Sequence, residues 1–75
     1  MRLKIMLLTQ RDVLEFCRIA GKVDGEVRIV GHDRGQECSI NAKSLLGLLY
    51  CTTCSDLWCV AENDISEHIE QFLVL

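Results

Sequence analysis

A polar turn followed directly by a dense leucine cluster constrains the fold of this chain more than any other feature of its sequence. Residues 39–49 read Ser-Ile-Asn-Ala-Lys-Ser-Leu-Leu-Gly-Leu-Leu. These residue types predict that a strand ends near Asn41 and that the hydroxyl of Ser44 caps the start of a helix. Leucines at positions 45, 46, 48 and 49 cover too wide an arc for an exposed helix. We therefore predict a short helix that is largely buried.

Length and composition indicate one small globular domain spanning residues 1–75. Of the 75 residues, 49% are hydrophobic and 25% are charged, a balance typical of a folded core rather than of disorder. The apolar runs are shorter than the roughly 18 residues that a membrane-spanning helix needs, so membrane insertion is not expected. A formal net charge of −3 gives no reason to expect nucleic-acid binding, which usually requires clustered basic residues.

Five cysteines are many for this length, but the number is odd and the start of the chain does not resemble a secretory signal. We therefore expect reduced thiols and a cytoplasmic location. Cys51 and Cys54 have the CxxC spacing, which leaves three interpretations open: structural thiols, a redox pair or half of a zinc site. The sequence lacks a second CxxC or HxxxH to complete such a site, so no metal or cofactor is expected. The other cysteines fall on apolar stripes, as small buried hydrophobic residues do: Cys17, Cys38 and Cys59.

The first third of the chain combines a strand pattern with a helix pattern. Apolar residues occupy alternate positions over residues 2–8, which predicts a strand with one face on a core. Thr9 precedes Asp12 by three positions, as in a capping box. Apolar residues then recur at spacings of three and four, so a helix is predicted over about 10–21.

The rest of the chain predicts three more strands and two more helices. A second strand around Val27 leads into a hairpin loop at 31–35, and a third strand covers about 37–41. After the leucine-rich helix, a fourth strand alternates around Leu57, and a capping-like pattern at Asp64 starts a last helix. The order β-α-β-β-α-β-α predicts an α+β fold, with a four-stranded antiparallel sheet covered on one face by three helices.

This element order and the segment 40–49 resemble the HPr-type phosphocarrier proteins of the bacterial sugar phosphotransferase system. The resemblance implies an HPr-like open-faced β-sandwich with strand order 1-4-2-3 and a place in sugar transport or carbon catabolite regulation. It also implies protein partners: phosphotransferase components, a serine kinase or a transcriptional regulator.

The first helix departs from the HPr pattern at the residue that carries its chemistry. Family members have a Gly-Leu-His-x-Arg-Pro-Ala segment whose histidine accepts phosphate, and here Thr9 stands at the histidine position. Leu8 and Arg11 match the motif, whereas Asp12 replaces the proline. A threonine hydroxyl lacks the nucleophilic ring nitrogen that suits phosphate relay near pH 7. Thr9 is interpreted as an N-cap or a phosphoacceptor, and Arg11 as a solvated residue or an anion contact; a non-enzymatic module is favoured.

Ser44, in contrast, keeps its local motif. The resemblance places it on the serine that a bifunctional kinase/phosphorylase modifies in regulatory HPr proteins, although a helix cap alone also explains a serine there. Leu45 and Leu48 are predicted to face a partner, with core burial as the alternative. The sequence thus predicts a regulatory or protein-binding module, possessing Ser44 as its phosphorylation site; the alternative is a cysteine-dependent redox or metal-binding module using Cys51 and Cys54.

Overall fold

The computed structural model describes residues 1–74, which form an α+β fold with a four-stranded antiparallel sheet and two α-helices. The strands are hydrogen-bonded in the order β1-β4-β2-β3, as the sequence resemblance implies. Three short 3-10 turns follow α2 and β4. The elements are β1 Arg2–Lys4, α1 Gln10–Lys22, β2 Val27–Asp33, β3 Gln36–Asn41, α2 Leu45–Tyr50 and β4 Ser55–Ala61, with 3-10 turns at Cys51–Thr53, Ser66–His68 and Glu70–Phe72.

The first helix forms where the capping pattern predicts it. Thr9 is its N-cap, with extended backbone, and its Oγ1 accepts a hydrogen bond of 3.1 Å from the N–H of Asp12. The carboxylate of Asp12 accepts in return from the N–H of Leu8 at 2.9 Å, one residue before the usual capping-box donor. The helix then buries one face at the predicted spacing: Val13, Phe16 and Ala20.

The core lies between the two helices and one face of the sheet. Ile29 in β2 stands opposite Ile40 in β3 and Cys59 in β4, so alternate residues of neighbouring strands reach the same core. Phe16 of α1 packs edge-on against Phe72, with ring centroids 5.3 Å apart. Burial of these apolar side chains is the main force that holds so small a domain together.

The predicted hairpin loop at 31–35 is wrong, because β2 continues through Asp33. Only Arg34 and Gly35 form the turn, and both have positive φ angles of 53° and 81°, as tight two-residue hairpins require. Gly31 is a strand residue beside an irregularity in the β2–β4 register. A glycine at this position allows close packing, because a Cβ atom there would lie 2.7 Å from Cδ2 of Leu57.

The segment after Asp64 is not the predicted third helix but two separate 3-10 turns. Its apolar residues are nevertheless buried as the pattern indicates: Ile65, Ile69 and Phe72. Two pairings with the start of the chain explain the break. The N–H of Met6 donates to the carbonyl of Phe72 at 2.8 Å, and the N–H of Val74 donates to the carbonyl of Lys4 at 3.0 Å. An extended chain at Leu73 satisfies these bonds, whereas a continuing helix would not.

The predicted first strand is also shorter than expected. The regular strand covers Arg2–Lys4 beside β4; the N–H of Ile5 still donates to the carbonyl of Leu57 at 3.0 Å, but Ile5 also bridges to Leu73. Within residues 1–74, no helix combines the length and the apolar character needed to cross a bilayer.

Candidate functional site

Ser44 caps α2 and remains at the surface. Its backbone is extended, with φ −99° and ψ 112°, and its Oγ accepts a hydrogen bond of 3.3 Å from the N–H of Gly47. The preceding turn is closed by Asn41, whose carbonyl accepts from the N–H of Ser44 at 3.0 Å and whose Oδ1 accepts from the N–H of Lys43 at 2.9 Å. The Ser44 side chain is exposed, so its hydroxyl is both a structural cap and accessible to a modifying enzyme.

The leucines of α2 are mostly exposed, contrary to the predicted burial. Leu46 is 83% exposed, Leu45 41% and Leu49 37%, and these three side chains are called the leucine surface below. Leu48, predicted as a partner contact, is fully buried in the core and contributes nothing to this surface. The accessible neighbours of Ser44 are therefore Leu45, for which a partner contact stays a prediction, and Leu46, which the sequence did not single out.

Gly47 explains why α2 turns this face outward. A Cβ atom at position 47 would lie 2.7 Å from Cγ2 of Ile40, so only glycine allows the helix to approach β3 this closely. With Gly47 against the sheet and Leu48 in the core, successive residues are rotated away at about 100° each. The helix is only six residues long, so it has a single buried leucine and leaves the leucine surface uncovered.

Thr9 and Arg11 lie at the exposed start of α1. The Thr9 hydroxyl accepts from Asp12, as described above, and Arg11 borders a surface cleft of about 360 Å³. The same cleft is lined by Asp12, Glu15, Gln71 and Phe72. The carboxylate of Glu15 is paired with the guanidinium of Arg18, and that of Asp12 accepts from the N–H of Leu8. Thr9 and Arg11 therefore lie at the same exposed helix start, in surroundings of mixed rather than positive charge.

The CxxC pair is divided between the core and the surface. The N–H of Cys54 donates to the carbonyl of Cys51 at 3.0 Å, which closes the 3-10 turn between them. Cys51 is 1% exposed, and burial raises the pKa of its thiol to about 12. Cys54 is half-buried, and burial also raises its pKa. High pKa values keep both groups as thiols at neutral pH, which is unfavourable for redox catalysis.

The geometry around Cys51 and Cys54 gives no support to the zinc-site interpretation. Among residues 1–74, no group of three or more histidine, cysteine, aspartate or glutamate side chains is arranged to hold a metal ion. All five cysteines are free thiols. The two thiols of the CxxC pair thus belong to different environments rather than to one site.

Tyr50 forms a connection that sequence reasoning missed. Its hydroxyl donates a hydrogen bond of 2.5 Å to Oδ2 of Asp33 and lies 3.9 Å from Sγ of Cys38. The carboxylate of Asp33 raises the pKa of Tyr50, because an ionised phenol could not donate this bond. The contact ties the end of α2 to the tip of the β2–β3 hairpin. It left no signal in the sequence, because the partners lie far apart along the chain and on different elements.

Comparisons with known proteins add no information about this site. A scan against protein-family models, a search of curated proteins and a search of solved structures each gave no match. What the structure brings together is an exposed capping serine and an exposed leucine surface on one short helix. The capped start of α1, at Thr9, lies on a separate element.

Proposed function

We propose that this protein is an HPr-like regulatory module of the phosphotransferase system that binds protein partners and lacks histidine phosphocarrier activity. One observation carries the proposal: the exposed hydroxyl of Ser44 lies next to Leu45 and Leu46, which are 41% and 83% exposed. A modifiable group beside an uncovered apolar surface is the arrangement that a phosphorylation-dependent contact needs. The partners are a serine kinase and a transcriptional regulator.

The same proposal makes the fold an HPr-like open-faced β-sandwich. The strand order β1-β4-β2-β3 and the positions of α1 and α2 over the core support it. In this view the turns Ser66–His68 and Glu70–Phe72 occupy the place of the third helix of the family. Their buried side chains cover the same part of the core that a regular helix would cover.

Phosphorylation of Ser44 would change the charge of the surface without dismantling the core. A phosphoryl group adds roughly −1.5 to −2 charges at pH 7. The first turn of α2 contains no acidic residue to repel it, and Lys43 immediately precedes Ser44. The leucine surface stays available as the apolar part of the contact.

Loss of the phosphate relay follows from the chemistry at Thr9. Its hydroxyl has no nitrogen lone pair to attack a phosphoryl group, and it already accepts the capping hydrogen bond from Asp12. The carboxylate of Asp12 lies in the first turn of α1 beside this cap, so it would repel the phosphoryl group of an incoming donor. These features support a module that binds protein partners rather than one that transfers a phosphoryl group.

Two phosphorylation reactions test the proposal. With the HPr serine kinase and ATP, we expect one acid-stable phosphate, located on Ser44 by tandem mass spectrometry. The control is Ser44→Asn, because asparagine caps a helix as well as serine but cannot be phosphorylated on its side chain. With enzyme I and phosphoenolpyruvate, we expect no acid-labile phosphate. Labelling of the Asn variant by the kinase, no labelling of the native chain, or a phosphohistidine at His32 or His68 would each contradict the proposal.

The partner contact is tested separately on the phosphorylated protein. Leu46→Ser should weaken binding to the catabolite regulator by tenfold or more, since a central apolar contact contributes about 1.4 kcal/mol or more. The matched variant is Leu14→Ser, which removes an exposed leucine from α1 instead. Calorimetry should give equal affinities for Leu14→Ser and the native chain. Equal weakening by both variants would mean that α2 is not the specific contact.

A further inference from the structure

Cys38 and Cys54 both lie beside Gly31, where the absence of a side chain lets neighbouring residues approach the strand. Cys38 is directly opposite Gly31 in the β2–β3 register, so the two residues project to the same face. A Cβ atom at position 31 would lie 3.2 Å from Cβ of Cys54. Because directly opposite Cβ positions are about 4.5–5.5 Å apart, Cys38 and Cys54 both border the position that a side chain of residue 31 would take.

Both thiols also contact Tyr50. Sγ of Cys38 lies 3.9 Å from the Tyr50 hydroxyl, and Sγ of Cys54 donates to the Tyr50 carbonyl at 3.8 Å. Both cysteines are half-buried, so small reagents can reach them while the surrounding strands hold them in place. Burial raises the pKa of the Cys54 thiol, and the neighbouring Cys38 side chain raises it further through its charge and hydrogen bonding.

Cys51, the sequence partner of Cys54, is not its spatial counterpart. Its side chain is 1% exposed and belongs to the hydrophobic core. Disulfide formation requires Cβ atoms about 3.5–4.5 Å apart and thiols that point toward each other. Cys38 and Cys54 both lie beside Gly31 and both contact Tyr50, whereas Cys51 is buried in the interior.

We propose that Cys38 and Cys54 form an intramolecular disulfide when the protein is oxidised by a peroxide. The thiolate of one cysteine attacks a peroxide oxygen, which breaks the O–O bond and gives a sulfenic acid and, with hydrogen peroxide, one water. The thiolate of the other cysteine attacks this sulfur and displaces the second water. Two thiols and one hydrogen peroxide thus yield one disulfide and two waters, and the two electrons pass from sulfur to oxygen.

The crosslink encloses the segment that carries Ser44 and the leucine surface. All of α2 lies between Cys38 and Cys54 in the chain, so the bond closes a loop around this helix. Closing the loop restricts the unfolded chain more than the folded one. Oxidation should therefore raise Tm by roughly 10–20 °C and hold α2 against the hairpin. This inference is independent of the proposed phosphotransferase role.

The experiment treats the full chain with hydrogen peroxide at pH 7.5 and pH 9, followed by alkylation and non-reducing tryptic mapping. We expect a monomer lighter by two hydrogen atoms, with residue 38 crosslinked to residue 54, and reversal by dithiothreitol. Since the thiolate is the reactive form, crosslinking should be several-fold faster at pH 9. Tandem mass spectra distinguish Cys54 from Cys51, which share a tryptic peptide because no lysine or arginine separates them.

Single cysteine variants identify which two thiols form the crosslink. Cys38→Ser and Cys54→Ser should each abolish the crosslink and the rise in Tm. Cys17→Ser, which alters a half-buried cysteine on α1, and Cys51→Ala, which keeps a small apolar side chain in the core, should both retain the crosslink. A disulfide between positions 51 and 54, a disulfide between two chains, or oxidation to sulfinic acid without a crosslink would overturn the proposal.

Discussion

The two helices begin in the same way but present very different surfaces. α1 starts at Thr9 and α2 at Ser44, and in each the side-chain oxygen accepts a hydrogen bond from the backbone N–H three residues later. α1 continues for 13 residues and buries a full stripe, whereas α2 has six residues and buries only Leu48. The two helices therefore share a capping interaction but differ in their surfaces, because the length and packing of each helix decide how much of its apolar surface stays exposed.

The charge around the two caps differs as well. Asp12 lies in the first turn of α1, where its carboxylate accepts from the N–H of Leu8. The first turn of α2 has no acidic residue, and its exposed side chains are leucines. A phosphoryl group would therefore meet a carboxylate beside Thr9 and no such repulsion beside Ser44. This difference supports Ser44, rather than Thr9, as the site of modification.

The largest expected effect separates the buried leucine of α2 from its exposed neighbour. Leu48→Ala should lower the free energy of unfolding by about 2–5 kcal/mol, because it removes a fully buried side chain and leaves a cavity. Leu46→Ala should change it by less than about 0.5 kcal/mol, since Leu46 is mostly exposed. Urea unfolding followed by circular dichroism measures both. Similar losses for the two variants would show that the leucine surface is buried after all.

The glycines of the two helices should respond in opposite directions. Gly47→Val should destabilise the fold by about 1–3 kcal/mol, because the new side chain would push into Ile40. Gly21→Ala in α1 should stabilise it by roughly 0.5–1 kcal/mol, because no atom lies within 4 Å of the added Cβ. Thermal unfolding of both variants provides the comparison. A tolerated valine at position 47 would mean that α2 can move away from β3.

The caps themselves should have smaller and similar effects. Thr9→Ala and Ser44→Ala should each cost about 1 kcal/mol, because each leaves a helix N–H without its side-chain acceptor. Asparagine at either position should restore most of the loss, since its side chain also caps helices. Denaturant midpoints measure the four variants. If Ser44→Ala were neutral, the serine would have no structural role and modification would be its main explanation.

The smallest expected effect is the contribution of the Cys51 thiol, at the end of α2, to the pH dependence of stability. Burial raises the pKa of Cys51 from its ordinary value of 9.0 to about 12. As the pH rises above 9, the unfolded chain loses this proton first, so stability is complete below about pH 9 and decreases toward pH 12. Cys51→Ala should reduce this decrease without abolishing it, because burial also raises the pKa of Cys59 to about 11; Cys17→Ala should leave the decrease unchanged. Equal slopes for all three chains between pH 9 and 11 would contradict a buried thiol.

Capping residues and apolar spacing predicted structure correctly where an element depends mainly on residues within it. The capping residues Thr9 and Asp12 and the spacing of the apolar residues predicted α1 to within one residue of its observed end. Ser44 was likewise placed correctly at the start of α2. The last segment shows the limit of this guidance. Ile69 and its apolar neighbours are buried as predicted, but hydrogen bonds to the first strand hold Leu73 extended and prevent a regular helix.

The sequence by itself determined the α+β class, the two capped helices and the alternation of the strands, because these depend on residues a few positions apart. Only the tertiary structure decided which leucines of α2 are exposed, because the approach of Gly47 to Ile40 fixes the rotation of the helix. It also decided that Cys38 and Cys54 both lie beside Gly31, while Cys51 is buried in the core. Both outcomes depend on contacts between strands and helices that are distant in the chain, and local periodicity contains no information about them.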